Sequence, residues 1–103
     1  MAEADLDVLI RSIGKKQHKS LMDAAKKRHA RLMGLAAKAK NKQAKNRFRQ
    51  SAKTTLALAS AAARRLRITA ENAADSYARA MKRAAEEIKA AQEQPAETPR
   101  KKS

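Results

Sequence analysis

The sequence contains no cysteine and no tryptophan, one phenylalanine, one tyrosine, two glycines and two prolines. Without cysteine there are no disulfides and no thiolate metal sites, and the redox compartment leaves no trace. The glycines, Gly14 and Gly34, are isolated, so no glycine-rich phosphate loop exists. Both prolines, Pro95 and Pro99, fall in the last nine residues, which leaves residues 1–94 free of the strongest helix breaker. No apolar run approaches membrane-spanning length. The first ten residues carry Glu3, Asp5 and Asp7 and no base, unlike a secretory signal or a mitochondrial presequence. Two aromatics, Phe48 and Tyr77, are too few for the stacking platforms that hold single strands and RNA loops.

Catalytic constellations are missing too. His18 and His29 stand eleven residues apart with no suitably spaced carboxylate, whereas a zinc site needs three or four ligands. The serines have no visible His/Asp partners, and the acids lie near the ends, mostly beside bases. We expect a protein that is not an enzyme, with no catalytic residues, no metal, no cofactor and no small-molecule substrate.

What is abundant is alanine and positive charge. The 25 alanines favour helix, because a methyl group loses no rotamer freedom and buries nothing polar. Leu, Ile, Val and Phe together number only 14, too few for a large core. The expectation is an all-α fold of long helices with narrow apolar seams. The formal charge of +15 is concentrated: residues 11–67 hold 18 bases against Asp23 alone, while residues 68–103 hold seven bases and six acids. Such a field opposes compaction unless a counter-charged partner meets it.

Spacing at 100° per residue locates the faces. Leu6, Leu9, Ile10 and Ile13 form one short stripe behind acids that suit a helix start. Gly14, Lys15 and Lys16 weaken the pattern, and Ser20 with Asp23 resembles a capping box, so a short N-terminal helix and a fresh start near Ser20 are expected. Leu21, Ala25, Leu32, Ala36 and Ala39 make the next stripe, edged by Met22, His29 and Met33. It fails after Lys40, where Gln43, Asn46, Arg47 and Gln50 occupy its positions. A new stripe, half a turn around, runs through Phe48, Ala52, Leu56, Ala59, Ala63 and Leu66 and on through Ala70, Ala73, Tyr77, Met81, Ala84 and Ile88. One straight helix cannot bury both. A break near residues 40–44, with Asn41 closing the turn, predicts an antiparallel helical hairpin. Thr69 is a possible further cap. No internal repeat stands out. Residues 1–94 are expected as one helical domain, basic over 11–67 and charge-balanced over 69–94. Asp75 lies four before Arg79 and Glu86 three before Lys89, so their charges should compensate. Residues 95–103 are expected as a disordered basic tail.

The candidate site is a row of cations. Lys27, Arg31, Lys38, Lys42, Lys45, Arg49 and Lys53 fall within about 80° on one continuous helical surface, and a break near 42 would divide them around a hairpin tip. Arg47 lies beside the row, and Arg64, Arg65 and Arg67 form a second cluster able to fork onto phosphate oxygens. A merely solvated face usually mixes signs, and this one does not. The sequence therefore points to nucleic acid, duplex DNA before structured RNA, held through phosphates with little base reading. Asn46 and Gln50 are the only candidates for touching base edges, and Phe48, flanked by cations, reads as packing before wedge. A homodimer through the 56–91 apolar seam, no membrane contact, and a cytoplasmic place (nucleoid-associated in a bacterium) complete the expectation. The alternative is an adaptor or assembly protein whose basic surface docks on an acidic protein.

Overall fold

A computed structural model of the protein describes residues 5–93. Two helices make up nearly all of that span: α1, Leu6–Lys38, and α2, Lys42–Glu93. They fold back on each other as the antiparallel hairpin that the shifted stripes predict. At 1.5 Å per residue α1 is about 50 Å long and α2 about 78 Å. The proposed tail, residues 95–103, lies outside the described residues.

The turn forms where the first stripe fails. Lys38 ends α1, in the last turn where a cation suits the helix dipole. Ala39 is extended at φ −65° and ψ 142°, and its N–H reaches the Ala36 carbonyl at 3.2 Å. Asn41 closes the connection by capping α2: its side-chain oxygen accepts the Ala44 N–H at 2.8 Å, and its carbonyl accepts the Lys45 N–H at 3.1 Å. No described residue has positive φ, so Asn41 acts through its amide oxygen and not through a left-handed backbone.

Two expectations are corrected. There is no separate N-terminal helix and no new start at Ser20, since Leu6–Ile13 are the first turns of α1. Gly14 does not break α1, because a packing contact holds it there. Thr69 likewise lies inside an unbroken α2. Tertiary packing overrides weak local stop signals once one continuous seam is available to bury.

That seam is made of the smallest side chains. The buried residues are Gly14, Ala25 and Ala36 on α1 and Ala52, Ala63 and Ala74 on α2, and none of the six is large or polar. Each set recurs every eleven residues, an interval close to three helical turns, so the two nearly straight helices keep meeting along one line. This is the repeat that side-chain type alone conceals. Between these points Leu21, Leu32, Phe48, Leu56, Ala59, Ala70 and Tyr77 are half-buried. The seam expected for a homodimer is thus occupied from Leu56 to Ala74 by the chain's own α1.

Gly14 marks the tightest approach. A Cβ built there would collide with the Ala70 Cβ, which rides on α2's backbone and cannot swing away, whereas a Cβ at Gly34 meets nothing within 4 Å. The same substitution therefore has opposite signs. Gly34→Ala should stabilise by about 0.5–1 kcal/mol through helix propensity. Gly14→Ala should cost about 1–2 kcal/mol net, because overpacking outweighs that gain. Thermal melts followed by circular dichroism check both. A rise in melting temperature for Gly14→Ala would show that the arms are not in close contact there.

Candidate nucleic-acid interface

The hairpin has two broad flanks, and each has a visible marker. On one, Arg11 of α1 bridges to α2: its Nε donates to Glu71 at 3.0 Å, one terminal nitrogen pairs with Asp7 at 3.3 Å, and the other pairs with Asp75. The bond to Glu71 contributes most to raising the Arg11 pKa above its ordinary value, against a smaller lowering from desolvation, so Arg11 is a fixed cation. This is also where Asp75 finds its partner. The expected Asp75–Arg79 and Glu86–Lys89 pairs do not form among the described residues. On the other flank, Ile10, Ile13, Gln17, Leu66 and Ala73 line an apolar groove of about 530 Å³.

The buried eleven-residue positions set the zero of angle for each helix. At about 98° per residue, Lys42, Lys45, Arg49, Lys53, Arg64 and Arg67 all fall roughly 30–100° to the Arg11 side of the α2 seam. These six make the cationic flank. Five are exposed and Lys45 is half-buried. Because α1 runs antiparallel, its Lys15, Lys19 and Lys26 project on the same flank. Lys26 fills the gap between Lys53 and Arg64, while Lys19 and Lys15 lie level with Arg64 and Arg67. From Lys42 to Arg67 the flank runs about 38 Å. Lys19 is tied to Asp23 at 3.2 Å. Among the described residues none of the other eight makes an ion pair.

The remaining expected site residues point elsewhere. Lys27 and Lys38 stand on the outer edge of α1, about 160° from its seam, and Arg31 lies beside them. Arg65 stands on the outer side of α2, where it borders the apolar groove. Arg47 shares a groove with Arg28, Gln50 and Thr54 on the side away from Arg11. The turn thus divides the linear row, and only its α2 half stays with the Arg64 and Arg67 cluster. Gln50 projects from the outer edge of α2, Asn46 stands at the border of the cationic flank, at the angle Lys19 takes on α1, and Phe48 is half-buried at the seam.

Folding also separates charge along the molecule. Residues 24–70 hold 14 bases and no acid, and the hairpin places most of them in its closed half, while Asp7, Glu71 and Asp75 gather around Arg11 at the open end. The first turn of α2 has no acid and begins with Lys42, at the end of a helix where cations are disfavoured. Local stability does not account for that placement.

Among the described residues no group of three His, Cys, Asp or Glu is arranged to hold a metal, and no helix is long and apolar enough to cross a membrane. Comparison with known proteins finds no matching family model, no matching curated protein and no matching solved structure.

Proposed function

We propose that this protein is a non-enzymatic nucleic-acid-binding hairpin that lays its cationic flank along duplex DNA, holding phosphates with little reading of bases. The observation that carries the reading is the flank itself: six α2 cations in a line, joined by Lys15 and Lys26, with no carboxylate among the described residues paired to any of them. Its length of about 38 Å slightly exceeds one duplex turn of about 34–36 Å, so one face of a duplex presents phosphates along the whole row. The scarcity of aromatics and the outer-edge placement of Gln50 favour backbone contact over base recognition. Structured RNA offers the same phosphates and is the near variant. A cytoplasmic, nucleoid-associated setting follows from this reading.

Salt titration tests it. Anisotropy of a labelled short duplex should give log Kobs falling with log[salt] at a slope of about −5, for about six phosphate contacts, and affinity should drop roughly a thousandfold between about 50 and 200 mM salt. Duplex RNA and polyglutamate are the competitors. If polyglutamate displaces the protein as well as DNA does, or DNA fails to bind at the lower salt, the basic surface belongs to an acidic protein partner instead.

A further inference from the structure

We infer that the flank opposite the cations is covered by a second copy of the chain, lying antiparallel, so that two hairpins form a four-helix dimer with both cationic flanks facing outward.

The single hairpin leaves its apolar surface unspent. Of nine large apolar side chains left exposed among the described residues, six (Leu9, Ile13, Leu35, Leu58, Leu66 and Ile88) fall on this flank by the angular rule above, which near the tip also carries Arg28, Arg31 and Arg47. Ile13 is 46% and Leu66 38% exposed on the rim of the 530 Å³ groove, and Leu58 is 66% exposed. Large apolar side chains exposed together around the groove at Ile13 and Leu66 mark an interaction surface. The seam between the arms buries only alanines and a glycine, too little to order two long helices unaided.

Size favours a second copy, and charge sets its direction. A face about 50 Å long and two helices wide, at 8–10 Å between axes, offers roughly 800–900 Å², close to the 800 Å² per partner of a stable dimer. The groove around Ile13 and Leu66 lies in the open half, where Arg11 is neutralised by Asp7, Glu71 and Asp75. Centring the two-fold axis there carries the basic tips to opposite ends. Each tip then lies beside the partner's residues 79–93, which reach about 22 Å past the start of α1 and hold Glu86, Glu87 and Glu93 against four bases. A parallel arrangement would stack tip on tip. Because Arg28 and Arg47 share this flank near the tip and Arg65 borders the groove, an anionic membrane surface is the competing occupant that the test must exclude.

Sedimentation equilibrium of the full chain should give twice 11.3 kDa. The dimer should tighten as salt rises, opposite in sign to DNA binding, so this inference and the proposed function can fail separately. Ile13→Gln with Leu66→Gln, both at exposed positions, should weaken the dimer at least about a hundredfold while helicity persists, since two apolar contacts per copy are lost across the axis. Should that variant unfold, single cysteines decide: Leu66→Cys should cross-link between copies under mild oxidation, and Ser60→Cys, on the cationic flank, should not. A mass of 11.3 kDa at all concentrations, capture by anionic vesicles in place of self-association, or preferential cross-linking through position 60 overturns the inference.

Discussion

Changing Lys42, Lys45 and Arg49 to Glu should weaken binding to a short DNA duplex by on the order of a thousandfold at about 50 mM salt, and should lower the salt slope by about three. Position matters here as well as charge. Three reversals of two charges each take the formal net charge from +15 to +9. Loss of the general field alone would therefore weaken association with any polyanion. The comparison that isolates position is the triple Lys16→Glu, Lys27→Glu and Lys38→Glu. These lysines also recur every eleven residues, but on the outer edge of α1, away from the flank. The charge change is identical, yet the expected loss is only about tenfold, with the slope nearly unchanged, because no phosphate contact is removed. Equal losses from the two triples would sink the flank and leave a protein attracted by its overall field.

The comparison between sequence and structure turns on the origin of angle. Apolar periodicity was enough to find two stripes, their half-turn offset and the break at Asn41, because those follow from local spacing. It did not show how the helices share one seam, since alanine occurs on every face of both and carries little contrast with its surroundings. The decisive positions, Gly14, Ala25 and Ala36 against Ala52, Ala63 and Ala74, emerge only once the partner helix shows which small residues are buried. With that zero fixed, Lys15, Lys19 and Lys26 join the flank and Lys27, Arg31 and Lys38 leave it. The signal that would have found them is the eleven-residue recurrence of small residues, read in both arms together. The stop signals at Gly14, Ser20 and Thr69 misled for a related reason: each is a local cost of about 1 kcal/mol or less, and a continuous seam outweighs it.

Ala63→Leu should damage the hairpin severely. Ala63 is fully buried midway along α2, at a point where the two helices approach across methyl groups. Three extra carbons there have no void to enter. The arms must part, and parting at the centre removes contact on both sides. The expected cost is about 3 kcal/mol or more, at the upper end of overpacking effects, which is at least roughly 10 °C in melting temperature for a chain of this size. Ala61→Leu makes the same chemical change on the exposed outer side of α2 and should alter stability by about 0.5 kcal/mol or less. Melts must be run at one protein concentration, since self-association shifts the midpoint. The functional consequence follows from the geometry. When the arms part, Lys15 and Lys26 no longer stand level with the α2 cations, so DNA affinity should fall although no charge has changed. Ala63→Leu that melts early yet binds DNA as tightly as the unaltered protein would mean that α2 alone carries the phosphates and that the hairpin serves some other purpose.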